Sequence, residues 1–251
     1  MNLKSAARAT LVLMGMIWVP ASALGGDDSA AVAIAVYRGQ AGCDGCSEAV
    51  KSAIESLDAR YRVDIVGPNE PLHILNETLA KYDIYIQPGG GQDINGALTN
   101  LGADGVKAIR DFVADGGGYL GICMGAYLAG ASNIGLITSD FDSEVGRPDF
   151  AVRTVEDAAI DVVWQGRGES VFFQDGPYLQ SSAADPAFME IATYGNGDLA
   201  AARYSFGKGL VVLSGPHPEA PEAWFHDAGI PLGRMPSRNL LQDLLDQFDN
   251  R

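Results

Sequence analysis

Residues Tyr119 to Leu128 read Tyr-Leu-Gly-Ile-Cys-Met-Gly-Ala-Tyr-Leu, which sets Cys123 between two glycines where a short apolar strand turns straight into a helix. Few folds accommodate such a turn. It forces its central residue into a strained backbone geometry that only flanking glycines make sterically possible, and it raises the side chain above the carboxyl end of a sheet. A thiol held there meets a helix N-terminus, whose unpaired amides favour thiolate over thiol. Cys123 is the candidate nucleophile.

The rest of the chain supplies a sheet for that turn. Ala31 to Tyr37 is continuously apolar, as in a parallel strand covered on both faces. Ser47 to Leu57 has helical spacing at Val50, Ile54 and Leu57, and Tyr61 to Val66 reads as the next strand, completing one βαβ unit. A helix around Leu72 to Tyr82, a strand Asp83 to Ile86, a helix Gly105 to Ala114 and a strand Tyr119 to Ile122 continue the alternation. This pattern predicts an α/β fold with a doubly wound, mostly parallel sheet. Ala151 to Gln180 differs. Its short alternating runs, Ile160 to Trp164 and Val171 to Phe173, predict an insertion of antiparallel hairpins. Leu199 to Tyr204 and Gly209 to Ser214 flank a hairpin turn, and an amphipathic helix near Asn239 to Phe248 closes the chain.

Two further loops follow predicted strands. Ser214-Gly215-Pro216-His217-Pro218-Glu219 is held rigid by its prolines, and loops at the carboxyl ends of an open α/β sheet share one crevice. His217 can therefore act as base to Cys123, with Glu219 fixing the imidazole, so that Cys123, His217 and Glu219 form a triad. Gln87-Pro88-Gly89-Gly90-Gly91-Gln92 has no side chains to obstruct approach to Gly89, Gly90 and Gly91. One of those amides with the amide of Met124 would make an oxyanion hole, in which a single donor supplies about 3 kcal/mol. The other histidines, His73 and His226, suit packing or surface roles.

At the N-terminus, Lys4 and Arg8 precede an apolar stretch from Ala9 to Val19, then Pro20 and Ala21-Ser22-Ala23. This reads as a signal peptide over 1–23, too short to span a bilayer, followed by a single domain over 24–251 in a periplasmic or secreted protein without stable membrane insertion after cleavage. Removing Lys4 and Arg8 leaves 15 basic against 32 acidic residues, and the net charge moves from -15 to -17. So acidic a chain, with no basic patch, is a poor partner for nucleic acid. Nothing in the sequence names a protein partner.

Cys43-Asp44-Gly45-Cys46 is spaced to form a small disulfide ring, which export favours, although a redox pair or a soft-metal site uses the same spacing. Two thiolates do not complete a zinc site, so neither metal nor other cofactor is expected.

The elbow Gly121-Ile122-Cys123-Met124-Gly125 and the His217-Pro218-Glu219 loop resemble those of class I glutamine amidotransferases, which implies a flavodoxin-like sheet. Pro88-Gly89-Gly90, Ile109 to Val113 and Gly116 to Tyr127 more narrowly resemble the amidotransferase-like N-terminal domain of biotin-protein ligases and its free-standing bacterial relatives. The resemblance covers about Ala31 to Gly130, with Tyr204 to Ala220 as a second island. Ala126 and Tyr127 stand where glutaminases of this class place Gln or His, which argues against glutamine as substrate. The expectation is a cysteine-dependent amidohydrolase acting on a small-molecule or peptide amide through a thioester. A ligand-binding module on the same fold and a redox protein using Cys43 and Cys46 are the alternatives.

Overall fold

Residues 31–249 are described by a computed structural model; the predicted signal peptide lies outside the described residues. Strand β1 (Val32–Tyr37) is buried along nearly its whole length because it is paired on both sides and covered on both faces. Helix α1 (Cys46–Glu55) lays Val50 and Ile54 on the sheet, and β2 (Tyr61–Val66) runs parallel to β1. The helix predicted around Leu72 to Tyr82 shrinks to one turn, α2 (Asn76–Leu79), because Leu75 before it is extended. Strand β3 (Ile84–Gln87) then pairs with the other edge of β1.

Helix α3 (Ile94–Ala114) starts eleven residues before the predicted Gly105. Its first half is rich in Asn, Gly and Thr, poor helix formers that tertiary packing overrides, and a kink at Gly102 (φ 69°) divides it. Asp93 caps it by accepting from the Gly96 amide at 2.8 Å. Strand β4 (Gly118–Ile122) leads into the elbow, and α4 (Met124–Leu128) leaves it.

The remaining strands are β5 (Asp142–Ser143), β6 (Ala158–Trp164), β7 (Arg167–Phe173), β8 (Pro177–Tyr178), β9 (Met189–Tyr194), β10 (Leu199–Phe206) and β11 (Gly209–Ser214). Two short helices, α5 (Glu222–Asp227) and α6 (Leu240–Leu245), complete the fold. Among the described residues no helix is long and apolar enough to cross a membrane.

One sheet runs β2-β1-β3-β4-β11-β10-β9-β6-β7. Its first five strands are parallel, in the order of flavodoxin-type doubly wound sheets with β11 in fifth place. The antiparallel strands expected as an insertion extend this same sheet from β11 outward, and only β5 and β8 form a separate pair. The two faces carry separate cores. Ile34, Val36, Val50 and Ile54 pack with Leu241 and Leu244 on one side, and Tyr37, Tyr85, Ile109, Val113 and Tyr119 pack on the other.

Candidate active site

Cys123 has φ 50° and ψ -109°, the strained conformation that the glycine spacing predicts. A Cβ on Gly121 would lie 2.5 Å from the Gly125 carbonyl oxygen, and one on Gly125 would run into the Gln87 carbonyl, so neither position accepts a side chain. The Cys123 amide donates to the Ser214 carbonyl at 2.8 Å, and the buried Tyr119 hydroxyl donates to the Gly125 carbonyl at 2.7 Å. Helix α4 is only five residues long, so the dipole behind the thiol is smaller than a full helix would give.

Because β11 pairs with β4 in parallel register, Ser214 opposite Ile122, the loop after β11 leaves the sheet beside the elbow. His217 is buried in that loop, anchored by its amide donating to the Phe172 carbonyl at 2.8 Å. Its Nδ1 lies 2.9 Å from Oε1 of buried Glu219, while Nε2 has no hydrogen-bond partner. Burial opposes a charged imidazole, but the Glu219 carboxylate and then Cys123 outweigh it and hold His217 well above the ordinary histidine range. The rings of Phe172 and Trp224 box the imidazole, with centroids at 6.0 and 5.6 Å.

The glycine loop divides its labour. Gly89 packs against the imidazole, where an added Cβ would stand 2.6 Å from His217 Cε1, and its carbonyl accepts from the Cys43 amide at 3.0 Å. It therefore makes room for the His217 ring, and it does not line the cleft at the thiol. Gly90 and Gly91 do line that cleft, with Met124, Tyr127 and Cys123. Gln87 steadies the loop's root, donating to the Ala41 carbonyl at 2.8 Å and accepting from the Tyr85 hydroxyl at 2.7 Å.

The cleft at the thiol has a volume of about 460 Å³. A second, of about 210 Å³, is lined by His217, Trp224 and both Cys43 and Cys46, and the two share Gly90 and Gln174 as walls. The thiol donates to the Gln174 carbonyl at 3.3 Å. Gln174 and its neighbour Asp175, together with Phe172 and Trp224, are site residues that sequence reasoning missed. The one local signal was Gln174-Asp175-Gly176-Pro177, a turn after an apolar strand in which Asp175 takes φ 49°.

Cys43 and Cys46 are joined as a disulfide, with Cα atoms 5.4 Å apart, so they hold no metal in this form. Among the described residues there is no cluster of three metal-ligating side chains. His73 is exposed and outside any helix, and His226 is exposed on α5 beside Asp227 at 3.2 Å.

Residues 32–149 match the family described as "Biotin-protein ligase, N terminal". Over those residues, just under half of the chain, it is similar to that family. No curated protein matches it. Similar solved structures include a glutamine amidotransferase at 16% identity and TM-score 0.54, covering 78% of this chain and 99% of that one. Another is a protein from Thermoplasma acidophilum assigned to GMP synthase, at 12% identity and TM-score 0.55, covering 88% and 96%. A ThuA-like protein from Bacteroides uniformis aligns at 11% identity and TM-score 0.51, over 92% and 95%. At these identities the likeness shows the amidotransferase-type fold. The biotin-protein ligase N-terminal match takes in the elbow and the glycine loop but stops before β6, and His217 and Glu219 lie beyond it.

Proposed function

We propose that this protein is an exported cysteine amidohydrolase of one domain over 24–251, working in the periplasm or outside the cell on a small-molecule or peptide amide. The observation that carries the reading is the buried His217, bound through Nδ1 to buried Glu219 at 2.9 Å, with an unpartnered Nε2 and Cys123 as its other electrostatic neighbour. In the reaction Nε2 takes the thiol proton and the thiolate attacks the amide carbonyl. The resulting oxyanion is met by amides of Met124 and of Gly90 or Gly91. Collapse breaks the C–N bond, and the imidazolium gives its proton to the departing amine. A thioester remains. Water, deprotonated by His217, attacks it, releasing the carboxylic acid and restoring the thiol.

The test is alkylation of Cys123 by iodoacetamide at pH 6.5 in the wild type and in His217→Ala, read by mass spectrometry. A rate at least ~10-fold lower in the variant supports an imidazole-activated thiol. Equal rates sink the triad. Cys123→Ala should then remove any amide hydrolysis, by ~10³-fold or more. A second reading, a binding module that keeps the elbow without catalysis, is favoured by the thiol's hydrogen bond to the Gln174 carbonyl, which turns its proton toward the backbone. That module would keep its ligand in Cys123→Ala.

A further inference from the structure

The two clefts that meet at Gly90 and Gln174 differ from an ordinary acidic surface in what their walls lack. Asp142, Glu156 and Asp175 line the cleft at the thiol, and Asp44, Asp157 and Asp227 line the one at the imidazole. Neither wall contains a lysine or arginine, and the one basic group is His217 itself. An acidic chain scatters carboxylates widely, so their number alone decides nothing. Their setting decides more. Asp175 immediately follows the residue whose carbonyl receives the thiol, and neutral donors alone orient it, Ser143 Oγ at 2.6 Å and Gln92 Nε2 at 2.9 Å. Among the described residues Asp142, Glu156 and Asp175 make no ion pair with a basic side chain. The walls also carry apolar surface, Ile94 and Val155 in the larger cleft and Phe172 and Trp224 in the smaller. Nε2 of His217, a buried polar atom without a hydrogen-bond partner, stands on the wall of the second cleft and marks where the two clefts meet the reacting group.

We propose that the substrate is an amide carrying a positive charge, an ammonium or guanidinium on a short aliphatic stem. Three carboxylates with no lysine or arginine among them attract such a head group, and the apolar walls take the stem. A free carboxylate on the ligand would meet carboxylates in both walls and no lysine or arginine, so the charge pattern also disfavours a free α-amino acid such as glutamine.

This inference rests on the amidohydrolase reading, and the experiment separates the two. Cys123 is the sole cysteine outside the disulfide, so it can be probed with three methanethiosulfonates on the same two-carbon stem: cationic aminoethyl, neutral hydroxyethyl and anionic sulfonatoethyl. In each case the thiolate attacks the sulfenyl sulfur, a mixed disulfide forms and methanesulfinate leaves. Rates are divided by those of a free thiol in solution. The expected result is a cation-to-anion ratio of ~10-fold or more at low salt, shrinking at 1 M salt. It should fall several-fold in Glu156→Gln, an exposed change that disturbs no hydrogen bond of the fold, and further in Asp142→Asn. The ratio is read within each variant, so a general change in reactivity does not enter it. A ratio near one, or one indifferent to these substitutions, overturns the charge assignment and leaves the nucleophile standing. A thiol inert to all three reagents overturns the nucleophile, and this inference with it.

Discussion

On the parallel side of the sheet β1 and β3 are buried nearly residue for residue, whereas on the antiparallel side β6 alternates, with Asp161 and Val163 facing solvent between buried Ile160, Val162 and Trp164. The parallel strands are clamped between two helical layers and carry Cys123 at the end of β4. The antiparallel strands have a wet face, and the turn after β7 supplies Gln174 and Asp175 to the cleft. His217 stands at the seam, rising from the last parallel strand but tied by its amide to Phe172 of β7. The comparison teaches a division of work: the rigid half holds Cys123, the half-solvated one supplies walls of the cleft beside it, and the position of His217 depends on both.

The sharpest way to break this contrast is Gly125→Ala. The added Cβ would collide with the Gln87 carbonyl inside the rigid half, and a loss of about 3 kcal/mol or more in denaturant unfolding is expected. A wild-type midpoint would show that the elbow can yield. Glu144→Gln probes the other half. Glu144 is buried beside β5, accepts from Asn196 Nδ2 at 2.7 Å and leaves its second oxygen unpartnered; burial pushes its pKa up to about 7. Because the folded value lies above the unfolded one, its favourable contribution is present in full below about pH 4.5 and fades as pH rises through about 7. Between pH 4 and pH 8 the wild type should lose about 3 kcal/mol relative to the glutamine variant. Parallel stability curves across that range would contradict the assignment.

The seam is tested by Gly89→Ala, where the methyl meets the imidazole edge and the backbone is free to keep its course. Alkylation of Cys123 should slow by ~10-fold while the unfolding midpoint moves by less than ~1 kcal/mol. Equal losses in both would make Gly89 a structural glycine only. The smallest effect is expected at Val163→Thr on the wet face of β6, where Val163 is 48% exposed: within about 0.5 kcal/mol of wild type.

What could be read from the chain follows the same line. The elbow, the proline-bound histidine loop and the glycine loop were legible because each is dictated by local sterics that few residues satisfy. The strands of the parallel half were legible because burial on both faces leaves unbroken apolar runs. The first half of α3 was not, since Asn95, Gly96, Thr99 and Asn100 favour a helix only once packed. Strand β9 hides its register behind a bulge where Leu199 and Ala201 meet its partners, and no sequence pattern sends Gln174 across to Cys123. A glycine run such as Gly89-Gly90-Gly91 does not say which of its members packs on a ring and which lines a cleft.

The position of β11 has one more consequence. Although last of the described strands, it lies between β4 and β10, and the family match over residues 32–149 ends well before it. A fragment cut there would carry Cys123 on a strand with one bare flank, an open template for sticking to its own kind, and would lack His217 and Glu219. The stretch that carries the family likeness is therefore shorter than the stretch that closes the sheet around Cys123.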